Sequence, residues 1–228
     1  MSRLDLGSMT WIQMDPMPYP GIFSQTSFQM NGEWYVAMGR DSANLSLCCG
    51  DPIPSQKFWK YNPATNVWTR LADYPGSNML YPTSFSIGSK AYIFCGALIN
   101  GGQDVDISDY RQEFWEYDSG ADSWRQLIIP ANGPPPGEKY QIITYNGKAY
   151  FLTGQVNHFI GYYNGTSLQN PSLEFDPANG TFRKISNSST AGVMKLVYNK
   201  DDRFYFQSDA LGAFENVPDI SNMFIPDK

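Results

Sequence analysis

The sequence predicts an all-β protein, a β-propeller of four-stranded antiparallel blades, and three observations support this fold class. One phrase returns along the chain, as FWKYNPATNVWTRLADYP from Phe58 to Pro75 and as FWEYDSGADSWRQLIIP from Phe114 to Pro130. A tight turn followed by a short strand with a central tyrosine returns at spacings of 57, 58 and 55 residues. Sixteen prolines and twenty glycines in 228 residues leave little room for long helices. A repeat near this length with four strands per unit is typical of propeller blades.

Each repeat unit is expected to contain four short strands. The first two flank a tight turn, as in QIITYNGKAYFLTG at residues 141–154, which carries an Asn-Gly hairpin signal. The third, as in KFWKYNP at 57–63, alternates large aromatic and polar residues, as a half-buried strand does. The fourth, as in NVWTRLADYP at 66–75, ends at a proline. The tyrosines of the second strand are Tyr35, Tyr92, Tyr150 and Tyr205, and the matching aromatic residues of the fourth strand are Trp11, Trp68, Trp124 and Phe182.

The chain is predicted to form a single propeller over residues 1–228, with blade units at roughly 19–75, 76–130, 131–188 and 189–228. MTWIQMDPMP matches a fourth strand, and NMFIPDK matches the end of a third strand. Pairing residues 8–18 with the last unit would complete a ring of four blades and remove two open strand edges. The sequence leaves open that the blades belong to a larger ring. A closed ring predicts a monomer, and an open one predicts a dimer or a larger assembly.

The composition argues against several kinds of partner and site. A net charge of −6 and a pI near 4.7 argue against nucleic acid, because phosphate binding requires a basic face. No apolar run reaches membrane-spanning length, so membrane insertion is not expected. His158 is the single histidine, which rules out a metal site built from several histidines, and neither a metal nor a cofactor is expected. The opening residues lack the apolar core of a secretion signal, which predicts the cytoplasm, or the cell surface if a signal was removed.

The repeated phrases resemble the kelch repeat. The resemblance rests on Tyr-Asn/Asp-Pro, a short turn, Asn-x-Trp and a leucine, together with the Ala-Tyr-x-x-x-Gly strand, and it covers nearly the whole chain. FSIGSKAYIFCG at 85–96 is similar to the kelch repeats of bacterial surface proteins. One departure is that the kelch double glycine after the second strand is reduced to a single residue, at Gly39, Gly96 and Gly154. The resemblance implies a β-propeller whose ligand is a protein first and a glycan second.

One face of the propeller is expected to carry long loops. In a four-stranded meander, the connections between the second and third strands lie on the edge opposite the tight turns. These connections are long and run from Arg40 to Lys57, from Ala97 to Glu113 and from Gln155 to Ser172. Long loops inside a compact domain usually carry function. The candidate ligand-binding residues on this long-loop face are Arg40, Asp104, Tyr110, Arg111, His158, Phe159, Tyr162 and Tyr163.

These loop residues admit more than one interpretation. The alternating carboxylates Asp104, Asp106 and Asp109 fit either a calcium ligand set or a solvated acidic loop, and their order matches no EF-hand loop. The aromatic residues beside His158 suit stacking on a sugar or gripping a peptide, and they suit equally a loop folded back over the blade. The blade tryptophans, Trp11, Trp59, Trp68, Trp115 and Trp124, are expected to pack blades against each other.

The sequence therefore predicts a non-enzymatic binding or scaffold module that engages a protein partner through the long-loop face. No nucleophile elbow, no cysteine partner for the single histidine and no Gly-rich phosphate loop is evident, and no catalytic residue is assigned. A first alternative is a glycan-binding propeller or a sugar isomerase-like enzyme of the kelch type. A second is a structural segment of a larger propeller or surface assembly. The enzyme alternative would use acid–base chemistry, with candidates Arg40, Arg111, Asp104 and Glu113.

Overall fold

The computed structural model describes residues 1–18, 22–23, 25–45, 52–98, 110–136, 138–155, 172–186, 193–200, 203–209 and 223–224. In these residues the regular secondary structure is entirely β. In chain order the strands are β1 (Ser2–Asp5), β2 (Thr10–Gln13), β3 (Ile22–Phe23), β4 (Thr26–Met30), β5 (Glu33–Ala37), β6 (Arg40–Leu45), β7 (Pro52–Pro54), β8 (Phe58–Asn62), β9 (Val67–Arg70), β10 (Met79–Leu80), β11 (Thr83–Ile87), β12 (Lys90–Phe94), β13 (Ala97–Leu98), β14 (Phe114–Asp118), β15 (Ser123–Gln126), β16 (Glu138–Tyr145), β17 (Lys148–Gln155), β18 (Ser172–Asp176), β19 (Thr181–Ser186), β20 (Val193–Lys200), β21 (Arg203–Asp209) and β22 (Met223–Phe224).

Three four-stranded antiparallel sheets follow one another along the chain, and each forms a blade. Blade 1 contains β4, β5, β8 and β9, blade 2 contains β11, β12, β14 and β15, and blade 3 contains β16 to β19. A further sheet, called unit 4, contains β20, β21 and β22. The first strands of successive units contact each other, β4 with β11, β11 with β16 and β16 with β20. This arrangement confirms the predicted all-β propeller of four-stranded antiparallel blades.

The long connections add small sheets at one edge of the blades. The strand β6, which follows the second strand of blade 1, pairs with β3 on one side and β7 on the other. In blade 2, β10, which precedes the first strand, pairs with β13, which follows the second strand. Each small sheet thus continues the first and second strands beyond the blade, toward the long-loop face.

Asn-Gly turns join first and second strands as the sequence predicts. Asn31 and Gly32 have φ angles of 54° and 77°, and Asn146 and Gly147 have φ angles of 48° and 74°. Positive φ at both central residues is the geometry of a type I′ turn, whose twist matches that of the strands it joins. The turns therefore fix the strand registers that place the repeated tyrosines in the core, where Tyr35, Tyr92 and Tyr150 are each at most 3% exposed.

Aromatic residues of the third strands fill the space between neighbouring blades. Between blades 1 and 2, Phe58 packs edge-on against Tyr117 with ring centroids 4.8 Å apart. Between blades 2 and 3, Phe114 packs against Phe175 with centroids 5.0 Å apart. All four side chains are almost completely buried. Because a blade can bury this face only against the next blade, these contacts hold the sheets together.

Hydrogen bonds from the fourth strand join blade 2 to the end of blade 1. The Trp124 indole Nε1 donates to the carbonyl oxygen of Ala72 at 2.9 Å. The backbone N–H of Ala72 donates to Asp122 Oδ1 at 3.0 Å, and the Tyr117 hydroxyl donates to the same oxygen at 2.8 Å. Asp122 and Trp124 thereby satisfy both backbone groups of the residue through which the chain leaves blade 1.

The same bonds join blade 1 to the segment that precedes it. The Trp68 indole donates to the carbonyl oxygen of Asp15 at 3.2 Å, and the Asp15 N–H donates to Asn66 Oδ1 at 3.0 Å. The Tyr61 hydroxyl donates to Asn66 Oδ1 at 2.9 Å. The contact pattern is therefore part of the repeat, with asparagine in blade 1 where blade 2 has aspartate.

Residues 8–18 contain β2, whose sheet neighbour in the structure is β1. The strand β2 pairs with β1, so that Thr10 faces Asp5 and Gln13 faces Ser2, whereas β22 has β21 as its sheet neighbour. Closing a short local turn costs less entropy than joining segments from opposite ends of the chain, and Asp5 Oδ1 holds this turn by accepting from the Ser8 N–H at 2.9 Å. Trp11, predicted to pack between blades, is instead 70% exposed. Ring closure and the blade boundaries stay predictions.

We expect Asp122→Ala to destabilise the protein by about 2 kcal/mol, because it removes the acceptor of two hydrogen bonds. This corresponds to a fall in Tm of about 4 °C or more for a domain of this size. Asp122→Asn is the matched control, since asparagine performs this role in blade 1, and it should shift Tm by about 1 °C or less. Thermal unfolding followed by circular dichroism checks both, and equal Tm values for the two variants would contradict the assignment.

Candidate active site

Blade 2 contains a buried carboxylate that is held by three donors. Glu116 accepts from Lys90 Nζ at 2.7 Å, from Arg125 Nη2 at 2.8 Å and from the Tyr92 hydroxyl at 3.1 Å. Burial acts to raise the pKa of Glu116, but the hydrogen bonds from these three groups outweigh it and hold the pKa below its ordinary value. Burial and the adjacent Glu116 charge raise the pKa of Tyr92, which keeps the phenol protonated.

The same cluster recurs in the other blades, which marks it as structural. In blade 3, Glu174 accepts from Lys148 Nζ at 2.7 Å and from Arg183 Nη2 at 2.9 Å. In blade 1 the charges are exchanged, and Lys60 Nζ lies 3.1 Å from Glu33 Oε2. Lysine and glutamate have exchanged strands, so the ion pair is kept while the charge at each of the two repeat positions is reversed. A feature present in every complete blade serves the blade rather than one site.

Backbone hydrogen bonds tie together the two ends of the long loops of blades 1 and 2. In blade 2 the Cys95 N–H donates to the carbonyl oxygen of Glu113 at 2.9 Å, and the Arg111 N–H donates to that of Gly96 at 2.9 Å. Blade 1 has the same pair of bonds, Met38 to Lys57 and Ser55 to Gly39. We call these bonded ends the loop roots: residues 95–96 with 111–113 in blade 2, and residues 38–39 with 55–57 in blade 1.

The loop roots also show where the kelch-like double glycine has been altered. Met38 and Cys95 have φ angles of 64° and 49°, and the glycines that follow them, Gly39 and Gly96, also have positive φ. The missing glycine therefore precedes the retained one. Non-glycine residues in this conformation carry a cost of about 1 kcal/mol or more, which the surrounding packing offsets, since Met38 and Cys95 are fully buried.

Glu113, at the end of the blade 2 loop root, is the centre of a second carboxylate cluster. Its Oε2 accepts from the Ser77 N–H at 3.0 Å, from the Trp115 indole at 3.1 Å and from the Tyr74 hydroxyl at 3.5 Å. Its Oε1 accepts from the Ser77 hydroxyl. Burial acts to raise the pKa of Glu113, but the donors from Ser77, Trp115 and Tyr74 outweigh it and lower the pKa. The side chain is therefore ionised at neutral pH.

Gly76 allows this cluster to form because it has no side chain. A Cβ at this position would lie 2.5 Å from Glu113 Oε2, 2.5 Å from the Tyr74 hydroxyl and 2.6 Å from the Trp115 indole nitrogen. The Gly76 carbonyl accepts from Gln56 Nε2 at 2.5 Å, which ties the segment to the loop root of blade 1. The absence of a side chain at Gly76, between blades 1 and 2, thus leaves the space that the Glu113 carboxylate occupies.

The Glu113 cluster breaks the repeat. Lys57 and Pro171 stand where Glu113 does in the repeats of blades 1 and 3, and Pro135 stands where Ser77 does. The polar cluster therefore belongs to blade 2 alone among the three complete blades. It lies at the root of a long loop, on the face where the sequence predicts function. This polar cluster, which the other complete blades do not repeat and which lies at the base of a long loop, is the best candidate for an active site.

The arrangement can move protons. Glu113 is an anion, and the Ser77 hydroxyl points its hydrogen at that anion, which leaves the oxygen lone pairs of Ser77 available to a ligand hydroxyl. Burial and the neighbouring Glu113 charge raise the pKa of Tyr74, so its phenol stays neutral and remains a donor. A carboxylate that can accept a proton therefore lies beside a serine hydroxyl that can relay it.

The structure places only part of the predicted site. Arg111 is half-buried, two residues from Glu113, and Tyr110 next to it is 5% exposed. Arg40 begins β6, and its side chain lies outside the described part. The other predicted residues, Asp104, His158, Phe159, Tyr162 and Tyr163, lie outside the described residues. The protein partner and the ligand-binding role of these loops stay predictions.

Two features are absent from the described part of the chain. No three His, Cys, Asp or Glu side chains there are grouped closely enough to hold a metal ion. The same residues contain no helix that is long and apolar enough to cross a membrane.

Two curated relatives match part of the chain, and both are named N-acetylneuraminate epimerase. The protein from Yersinia enterocolitica is 28% identical over 102 residues, which are 44% of this chain and 25% of that protein. The protein from Escherichia coli O157:H7 is 32% identical over 98 residues, which are 42% of this chain and 25% of that protein. The match thus spans a quarter of the length of each relative.

Among solved structures, the structure of YjhT is similar to this chain with a TM-score of 0.58 and 24% sequence identity. The similarity covers 86% of this chain and 60% of YjhT. No protein-family model matches the chain. Together the comparisons support a kelch-like β-propeller, and the solved structure bears on the fold alone.

The enzyme name of both relatives overturns the prediction of a non-enzymatic module. That prediction relied on the scarcity of histidine and on the absence of nucleophile motifs. Acid–base chemistry by a carboxylate, a serine and a tyrosine has no such motif. Ser77 and Glu113 lie 36 positions apart, and only the fold brings them together.

The lowered pKa of Glu113 predicts a pH-dependent contribution to stability. A carboxylate whose pKa is lower in the folded than in the unfolded protein stabilises the fold above the unfolded pKa, and loses this contribution as the pH falls through the folded pKa. We expect the Tm difference between wild type and Glu113→Gln to be largest near neutral pH and to shrink below pH 4.5, the ordinary value. Asp73→Asn, at an exposed carboxylate, is the control. A Tm difference that stays constant from pH 7 to about pH 3 would contradict the assignment.

Proposed function

We propose that this protein is an enzyme that epimerises an acidic N-acetylated sugar of the N-acetylneuraminate class. The observation that carries the proposal is the Glu113 cluster, a half-buried polar group on the long-loop side that no other complete blade repeats. The names of the two curated relatives supply the substrate class. The match covers only a quarter of the length of each relative. The assignment of their activity to this chain is therefore part of the proposal.

The chemistry proposed is epimerisation at the anomeric carbon. A cyclic keto sugar opens when its anomeric hydroxyl loses a proton and its ring oxygen gains one. The carbonyl then rotates, and reclosure from the other face gives the other anomer. Proton transfers suffice for each step, and general acid–base catalysis of this kind contributes about 10²- to 10⁴-fold. The reaction therefore requires a group that takes up one proton and returns one, and Glu113 with Ser77 supplies such a group.

Each residue has a defined role in this proposal. The Ser77 oxygen accepts the proton of the anomeric hydroxyl while its own proton moves to Glu113. The Tyr74 phenol, which is 1% exposed, holds Glu113 by a hydrogen bond, and protonated Glu113 returns its proton through Ser77 to the ring oxygen as the ring opens. Arg111, at the same loop root, supplies positive charge for the carboxylate of the sugar. Trp115 and the Ser77 N–H hold Glu113 in position.

The proposal is tested by dissolving a single anomer of N-acetylneuraminate and following its approach to equilibrium by proton NMR. The protein should accelerate this approach in proportion to its concentration. A rate equal to that of buffer would overturn the proposal. The substrate class is tested separately with a neutral N-acetylated hexose, which lacks the carboxylate and should equilibrate no faster with the protein than without it.

Variants connect the activity to the cluster. Glu113→Gln and Ser77→Ala should each lower the rate by about 100-fold, because each breaks the proton relay. Asp73→Asn changes a nearby exposed carboxylate outside the cluster and should keep the full rate. Circular dichroism establishes that each variant is folded at the assay temperature. Full activity in folded Glu113→Gln would assign the chemistry to other residues.

A further inference from the structure

Gln56, in the loop root of blade 1, binds the segment that carries two of the residues bonded to Glu113. The Tyr74 N–H donates to the carbonyl oxygen of Gln56 at 2.9 Å. The Gln56 side-chain amide donates from Nε2 to the carbonyl oxygen of Gly76 at 2.5 Å. Tyr74 and Ser77, at the two ends of this segment, both donate to Glu113. One residue of blade 1 thus holds the chain that surrounds the carboxylate of blade 2.

The backbone on either side of Gln56 is itself fixed. The Ser55 N–H donates to the carbonyl oxygen of Gly39 at 2.8 Å. The Met38 N–H donates to the carbonyl oxygen of Lys57 at 3.2 Å. The Ser55 hydroxyl, in a residue that is 7% exposed, also accepts from the Lys57 N–H at 3.2 Å. Because both neighbours are bonded, the Gln56 side chain extends from a defined backbone position.

The peptide group between Gly76 and Ser77 connects Gln56 to Glu113. Its carbonyl oxygen accepts from Gln56 Nε2, and its N–H donates to Glu113 Oε2 at 3.0 Å. A trans peptide group is planar, and its C=O and N–H point in opposite directions. A hydrogen bond that holds the oxygen therefore also sets the direction of the N–H. Donation to the carbonyl also polarises the peptide group, which strengthens the hydrogen bond that the N–H donates.

The next blade has the same glutamine bond without the same consequence. Gln112 stands where Gln56 does in the repeat, and its Nε2 donates to the carbonyl oxygen of Pro134 at 2.7 Å. The residue that follows is Pro135, whose nitrogen carries no hydrogen. The bond between glutamine and carbonyl therefore stabilises both blade junctions. Of these two peptide groups, the one after Gly76 alone has an N–H to direct at a carboxylate.

We propose that Gln56 is a positioning residue for the Glu113 site, and that it orients the Gly76–Ser77 peptide group so that the N–H and the hydroxyl of Ser77 both face Glu113. Its effect on the reaction rests on the proposed function, whereas its effect on the peptide group does not. Without the glutamine bond, the peptide group is free to rotate, and Glu113 loses a donor. The Ser77 hydroxyl, which relays the proton, then spends less time in line with the carboxylate.

The first test follows the Ser77 amide by ¹⁵N NMR from about pH 7 to about pH 3. In the wild type its proton signal should shift as Glu113 is protonated, because the N–H loses a charged acceptor. Gln56→Met keeps the length of the side chain and removes the donor, and it should reduce this shift by about half or more. The Tyr74 phenol stays protonated over this range, because burial and the Glu113 charge raise its pKa.

Gln112→Met is the matched control for this test. It removes the equivalent hydrogen bond to Pro134 and should lower Tm by about as much as Gln56→Met does, because each variant loses one hydrogen bond. The Ser77 amide should nevertheless shift with pH as in the wild type. An equal loss of this shift in both variants would assign the effect to general stability and overturn the proposal.

The second test measures the rate at which a single anomer of N-acetylneuraminate equilibrates. Gln56→Met should lower kcat by about 10-fold and change KM by less than about 2-fold, because it misaligns the proton relay and leaves Arg111 in place. An unchanged kcat, in a protein that Ser77→Ala inactivates, would overturn the proposal and leave the proposed function intact. If the wild type itself does not accelerate the reaction, the proposed function fails, and the Ser77 titration alone decides the role of Gln56.

A measurement on the unaltered protein keeps the proposal testable if Gln56→Met does not fold. The hydrogen bond from Gln56 Nε2 to the Gly76 carbonyl should give a scalar coupling between the ¹⁵N and ¹³C nuclei on its two sides. The absence of this coupling in the folded wild type would overturn the proposal. A Ser77 amide signal that does not shift with pH would also overturn it, since the N–H would then not face Glu113.

Discussion

Burial of aromatic rings between neighbouring sheets is the constraint on which the rest of this structure depends. A single four-stranded sheet has no core of its own, so Phe58 and Phe114 leave water only when Tyr117 and Phe175 of the next blade cover them. The indole of the fourth strand then hydrogen-bonds the carbonyl through which the chain leaves the previous blade. Packing and hydrogen bonding thus act at the same interfaces, and each blade stabilises its neighbours.

The repeat also separates structural polar residues from functional ones. The lysine–glutamate pairs recur in each complete blade, even with their charges exchanged in blade 1. In blades 1 and 2 the glutamate also accepts a hydrogen bond from the hydroxyl of the buried second-strand tyrosine. The Glu113 cluster has no counterpart in the other complete blades, and Gly76 leaves space for it because it has no side chain. A propeller can hold such an exception because its loops lie outside the repeated core. The candidate site is therefore best located by finding the polar residues that differ from their counterparts in the other blades.

Much of the fold was predictable, because turns and strand periodicity are local properties. The Asn31-Gly32 turn and the alternation around Phe58 each fixed a strand, and the period joined them into blades. The hairpin of β1 with β2 was not predictable, since the sequence was interpreted as one strand there and the pairing of Leu4 with Trp11 shows two. Glu113 was named only as one of four candidates for an alternative function, because its donors come from Ser77 and Tyr74 in another part of the chain, and only the fold brings them together. Aligning the repeats and marking their exceptions would have singled out Glu113.

Exchange of the tryptophan indole protons, followed by ¹⁵N NMR, tests this account most directly, because the chain has six tryptophans and gives six resolved signals at most. Trp68 and Trp124, which bond the carbonyl of the preceding segment, and Trp115, which bonds Glu113, should exchange slowly with deuterated water. Trp34, which is 48% exposed, should exchange at once. Exchange of Trp68 and Trp124 as fast as that of Trp34 would contradict the claim that these bonds join the blades.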